Sequence, residues 1–348
     1  MLGAARTTVI AIARRVCAIA VLIATLAACG AGVPDRRGDA DTVTAEIGRM
    51  AGVISATNDF ADDPAQGVVH FWLHAEVSAN STEEQLAAVT DHYLSAADDG
   101  LFAGYRLELE VNRGRNVFRV DSGNLPIANR DQVIRQARSW VALQRDFPGS
   151  TIRLRATIVH PQGEQPIQDL GHSNAAILDL PDWANYQAVS SAAQQLAVQF
   201  PDLAGLNWNI NAGKQHPAEL STSLRLPDPA EIGVWNRLNA DQSIAHIDRL
   251  VINGPATPPV WFSEKTTHSH DVAVAVKLAR RHLPVVAELP APVLYSASDQ
   301  LSGHVGARGT ARGPISVTVG GCTHHDPAVY TPIDEEQELI ETYETCPQ

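Results

Sequence analysis

The chain has 348 residues, with 26 lysines and arginines against 39 aspartates and glutamates, a formal net charge of −13 and a hydrophobic fraction of 45%. Such an acidic surface repels nucleic acid and anionic headgroups, which argues against a nucleic-acid partner. Only Lys214, Lys265 and Lys277 are lysine, an arginine bias typical of GC-rich genomes such as those of actinobacteria.

At the N-terminus Arg6, Arg14 and Arg15 precede an apolar run from Val16 to Thr25, followed by Leu26, Ala27, Ala28 and Cys29. This layout is that of an export signal, and its roughly ten apolar residues fall well short of the about 20 that span a bilayer. In Leu26, Ala27, Ala28 and Cys29 the sequence resembles the bacterial lipoprotein family, whose lipobox has leucine, small residues and then cysteine. The resemblance implies a signal peptide over 1–28, cleavage before Cys29 and a diacylglycerol thioether on Cys29, with the new amino group often acylated as well. It places the protein on the outer face of the cytoplasmic membrane, anchored by acyl chains; two or more hold stably where one does not. Arg14 and Arg15 leave open whether export is general or twin-arginine. Residues 29–41, rich in Gly, Ala, Asp and Arg, read as a flexible tether.

Periodicity then gives an element order that recurs. Residues 42–112 predict an incomplete α+β module: a short helix near Thr44 to Met50, strands at Val53 to Thr57 and Val68 to Val77, a helix opened by a Ser81/Glu84 capping box, and a strand from Arg106 to Val111. Residues 113–213 predict a full one. Its strands are Asn116 to Val120, Thr151 to Val159, Ala175 to Leu180 and Leu206 to Ile210, with one helix capped by Asn129 and another beginning near Asp182. Residues 214–299 repeat it. Asp228, Pro229 and Glu231 suit N-cap, N1 and N3 of one helix, and a second helix runs from about Ser269 to Glu288. The order βαββαβ is that of the ferredoxin-like motif, two helices over one face of a four-stranded antiparallel sheet. The expected fold is therefore α+β, tandem ferredoxin-like modules with a C-terminal tail.

Residues 300–348 differ in composition. Gly303, Gly306, Gly309 and Gly313 suggest a hairpin, Ile315 to Val319 a strand, and six acids with Leu339, Ile340 and Tyr343 a helix docked by one narrow apolar stripe. With Cys17 lost in the signal and Cys29 lipidated, Cys322 and Cys346 remain as a pair in an oxidising compartment. A disulfide closing that loop of about 25 residues stabilises by roughly 3 to 4 kcal/mol.

Familiar catalytic sets are missing from the sequence: there is no G-x-S-x-G, H-E-x-x-H, C-x-x-C, P-loop or S-x-x-K. His268, His270 and Asp271, and likewise His324, His325 and Asp326, could share a zinc with a distant carboxylate, but helix capping explains the first group equally. Arg308 and Arg312 among glycines suit an anion or a solvated turn, and the six tryptophans read as core anchors rather than a ligand cage. No catalytic residue, metal ligand or cofactor is assigned. The first functional expectation is a non-enzymatic binding or assembly platform for other envelope components. The alternatives are a carrier or sensor of a small apolar or lipid ligand held between modules, and a hydrolase built around a histidine and an aspartate.

Overall fold

The computed structural model describes residues 35–98, 100–123, 126–161, 174–254, 258–299, 304–305, 311–312, 315–323 and 330–346. Cys29, the signal peptide, Arg308 and His324 to Asp326 lie outside them, as does the side chain of Arg312. No helix among the described residues is long and apolar enough to cross a membrane.

The fold is α+β. In chain order the elements are α1 (Arg37–Gly48), β1 (Val53–Asp63), β2 (Val68–Val77), α2 (Glu83–Asp98), β3 (Arg106–Arg113), β4 (Asn116–Gly123), α3 (Arg130–Asp146), β5 (Thr151–Arg155) and β6 (Ala175–Asp179). There follow α4 (Tyr186–Gln199), β7 (Asn207–Asn211), β8 (Glu219–Thr222), α5 (Pro229–Ala240), β9 (His246–Ile252), β10 (Val260–Thr266), α6 (Val272–Val286) and β11 (Val293–Ser298). A two-stranded pair, β12 (His304–Val305) and β13 (Ala311–Arg312), precedes β14 (Ile315–Val319) and α7 (Asp334–Tyr343).

Strands β1 to β11 and β14 form a single twelve-stranded mixed sheet in strict chain order. Parallel neighbours are joined by a helix, as in β2-α2-β3, and each such pair is linked to the next by an antiparallel hairpin, as in β3-β4. The recurring element order is present, but its strand arrangement is not the expected tandem of separate antiparallel ferredoxin-like sheets. In the ferredoxin-like motif the crossovers interleave the strands. Here each crossover returns to the adjacent position, so the sheet grows sideways without closing a module. The boundaries at 112/113 and 213/214 fall inside hairpins whose strands are hydrogen-bonded, β3 to β4 and β7 to β8, so sheet and core run through them.

Register fixes which face is buried, because successive side chains on a strand point to opposite faces. One inward row runs Leu178, Ile210, Leu220, Leu250, Phe262, Tyr295 and Val317 across seven strands. These residues share one core with the apolar stripes of the helices, such as Val133, Ala137 and Trp140 of α3. The helices thus form one layer over one face. At about 4.8 Å per strand spacing the sheet is on the order of 50 Å wide.

Local signals place the helices, with two shifts. Asp228 and Glu231 form the reciprocal cap anticipated for α5. The cap of α2 is one residue further on: Gln85 N donates to Thr82 Oγ1 at 3.2 Å and Thr82 N donates to Gln85 Oε1 at 3.0 Å, while Ser81 Oγ donates to Gly52 O instead. Asn129 stands at the N-cap of α3, but its side chain is taken by the neighbouring strand segment, donating to Thr157 O and accepting from Val159 N. The first helix begins at Arg37, within the stretch read as tether, because Ala40, Val43 and Ile47 pack fully into the core.

At the far edge β14 would expose unpaired N–H groups. Two glutamates of the acidic tail cover them: Ser316 N donates to Glu336 Oε1 at 2.7 Å and Thr318 N to Glu344 Oε1 at 2.8 Å. Such edge protection limits strand addition by another chain. The Cys322–Cys346 disulfide then ties this tail to the segment after β14.

Candidate functional site

Two arrangements stand out, one on each face of the sheet. The face without helices is polar from β2 to β8. One row runs His74, Glu110, Arg119 and Arg155 across β2 to β5, and another runs Asp179, Asn211, Glu219 and Arg249 across β6 to β9. The charges are mostly paired across strands: Arg106 with Asp121 at 2.9 Å, Arg119 with Glu108 at 3.1 Å and with Glu110, Arg153 with Asp179 at 2.8 Å, Arg249 with Glu219 at 3.0 Å. Arg155 makes no ion pair with any described residue; burial and the neighbouring Arg119 lower its pKa. His70 stacks on Trp72 with centroids 3.9 Å apart, and the Trp72 indole N–H has no hydrogen-bond partner among the described residues. Asn207 and Asn209 of β7 are exposed on the same face. Toward β9–β11 this face ceases to be open: Val251, Trp261 and Leu294 form a second, small buried cluster.

The second arrangement lies beneath the helix layer. β9 reads His-Ile-Asp-Arg-Leu-Val-Ile, so His246 and Asp248 share the inward parity of Leu250 and Ile252. Glu264 of β10 is the direct cross-strand neighbour of Asp248, and Tyr295 of β11 reaches the same place one register step away. From above, α6 lowers His282 onto the group, seven residues after Ala275 and four after Leu278 on its buried stripe. His246 is 5% exposed, Asp248 1%, Glu264 0%, His282 2% and Tyr295 0%.

Glu264 is the hub. His282 Nδ1 lies 2.7 Å from its Oε1, and the Tyr295 hydroxyl donates to its Oε2 at 2.5 Å. His246 Nδ1 lies 2.6 Å from the Ile244 carbonyl, and its Nε2 is 3.2 Å from Asp248 Oδ2 without hydrogen-bond geometry. Asp241, held by Arg281 and lowered strongly by it, approaches His282 Nε2 to 3.5 Å. Burial, with Glu264 alongside, pushes the Asp248 carboxyl up to about 7. Burial opposes the charged form of His246, yet Asp248 and Glu264 outweigh it and raise this imidazole to about 9. Tyr295 is raised well above its ordinary value by burial and by Glu264. A reacting substrate would have to displace the covering helix, whereas a proton or a single ion needs only a local opening. The arrangement is suited to holding positive charge among carboxylates.

No protein-family model, curated protein or solved structure matches the chain.

Of the two histidine groups read from sequence, the one within the described residues, His268, His270 and Asp271, is divided among other tasks. Asp271 caps α6, its side chain accepting from Ala273 N at 2.9 Å, and His270 pairs with Asp299 on the surface. Trp140, Trp208 and Trp235 are core anchors as expected, and Trp261 is buried in the small second cluster; Trp183 is 71% exposed and Trp72 sits half-buried on the open face. None of His246, Asp248, Glu264, His282 or Tyr295 was singled out by sequence. The available signal was parity: polar residues occupying positions where the apolar alternation of β9 and β10 and the stripe of α6 require burial.

Proposed function

We propose that the protein is a lipid-anchored envelope component that acts as a non-enzymatic assembly platform, presenting its open sheet face to a folded extracytoplasmic protein. The observation that carries this reading is the one-sidedness of the sheet: helices cover one face from end to end, while β2 to β8 expose rows of paired charges, asparagines and a histidine–tryptophan stack on the other. A wide face with balanced, cross-paired charge suits a polar protein surface better than a lipid or a small molecule. The anchor on Cys29 is a short reach from α1. Eight residue-to-residue steps lead from Cys29 to Arg37, which at full extension span about 28 Å, so the sheet would be held close to the membrane.

The carrier reading finds less support. Two clefts on the described residues are lined by charged groups such as Asp91, Arg135, Glu76 and Arg113, and a mainly apolar one, beside Phe102 and Leu107, has a volume near 130 Å³. Small-molecule sites are on the order of 300 to 1,000 Å³.

Two experiments test the proposal. Fractionation of cells making Cys29→Ala is expected to move the protein from membrane to soluble fractions; unchanged membrane retention contradicts the anchor. Affinity capture from detergent-solubilised envelopes is then compared between the native chain and an Arg153→Glu, Asn209→Arg double variant, with Val198→Glu on the helix side as control. A partner lost only from the open-face variant supports the platform, and a partner retained by it contradicts it.

A further inference from the structure

We propose that the buried group formed by His246, Glu264 and His282, with Asp248 beside it, is a binding site for one zinc-class divalent cation. One donor atom from each of the three residues lies within 4.8 Å of the others, and all three side chains are buried. Two imidazoles with a carboxylate is the ligand chemistry of zinc. The inference is independent of the open face and of the platform reading.

Three further observations point the same way. First, the tautomer of His246 is set by its surroundings: a carbonyl can only accept, so Nδ1 carries a proton toward Ile244 O, the outer bond that metal-bound histidines make, and Nε2 is left as the ligand nitrogen. His282 Nδ1 and Glu264 Oε1 lie side by side at 2.7 Å, so that with the His282 proton displaced both can face one ion. Second, among the described residues Nε2 of His246, Nε2 of His282 and both Asp248 oxygens are buried without a hydrogen-bond partner, Asp241 only approaching His282 Nε2 at 3.5 Å. Unsatisfied polar atoms of this kind are rare in a packed interior. Third, the 3.2 Å separation of His246 Nε2 and Asp248 Oδ2 matches the edge of a tetrahedral zinc shell, about 3.3 Å for bonds near 2.05 Å. The wider spread of the remaining donors means that they draw together on binding. A dication would replace imidazolium protons as the positive charge facing Asp248 and Glu264. His70, His74 and Glu110 on the open face offer half-buried imidazole and carboxylate groups as well, so a control must separate the two places.

The test uses the full-length chain in detergent, stripped with a chelator and titrated with zinc alone by calorimetry, alongside His282→Gln, Asp248→Asn and a His70→Gln, His74→Gln control. The expected result is one equivalent bound per chain, weakened more than about tenfold in His282→Gln and Asp248→Asn and unchanged in the open-face control. Cobalt(II) added to the native chain reads the site without any substitution and is expected to give the visible absorption of a tetrahedral nitrogen–oxygen site, so a variant that fails to fold leaves the proposal testable. No uptake at micromolar zinc, uptake lost only in the open-face control, or an octahedral cobalt spectrum would overturn it.

Discussion

The sheet carries the same residue types on its two faces, and depth decides what they do. On the open face Arg119 sits between Glu108 and Glu110, each partner partly in water. Under the helices Glu264 sits between His282 and Tyr295 with no water-exposed surface at all. Exposed pairs contribute from nothing to about 1 kcal/mol because solvent already satisfies each charge. A buried partner has no such alternative, and removing one leaves the others unsatisfied. The open-face charges are therefore free to be exchanged for those of a partner, whereas the buried ones are committed to one another or to an ion.

The comparison is broken most sharply by Glu264→Ala, which strands the His282 Nδ1 proton and the Tyr295 hydroxyl in the core. Denaturant unfolding is expected to show a loss of about 3 to 5 kcal/mol; a loss below 1 kcal/mol would put the buried group on the same footing as the surface. Next in size, Cys346→Ser opens the loop to Cys322, 24 residues away, and is expected to cost roughly 3 kcal/mol on the chain-entropy account. Limited proteolysis should then cut near α7 before any cut elsewhere in the chain.

Glu336 gives a pH signature. Its carboxyl is fully buried, accepting from Ser316 N and the Tyr330 hydroxyl with Glu344 as the nearby charge, and burial raises it from 4.5 to about 7. A raised carboxyl means that the folded state holds a proton the unfolded chain gives up. Its contribution to stability is therefore complete below about pH 4.5 and is lost as pH rises through about 7. Melting curves of Glu336→Gln should show a shallower decline across that window than the native chain; parallel curves would contradict the assignment. The smallest effect is expected of Glu110→Ala on the open face, below about 1 kcal/mol and weakened further by salt.

How much of this was legible in sequence depends on the range of the interaction concerned. The strands and helices were, because 2- and 3.6-residue periodicity is local, and so was the Asp228/Glu231 cap. The pairing of Cys322 with Cys346 followed from compartment and count. The sheet order was not legible, since βαββαβ is the same string whether a crossover skips a strand or returns beside it; only the pairing of β4 with β5 and of β6 with β7 distinguishes them. Nor was the buried group. His246 and Asp248 are two apart, but Glu264 and His282 come from a second strand and a helix, and nothing local brings them together. His268, His270 and Asp271 are neighbours in sequence, but Asp271 caps α6 and His270 pairs with Asp299 on the surface.

The open face is the proposed working face. Its most direct test is a photo-crosslinking scan in intact cells, with the reactive residue placed in turn at Trp72, Arg153 and Asn209 on that face and at Val198 and Gln194 on the helix side. Adducts to one discrete protein from the first three positions, and none from the last two, are the predicted outcome. Equal yields from both sides, or adducts from the helix side alone, would contradict it.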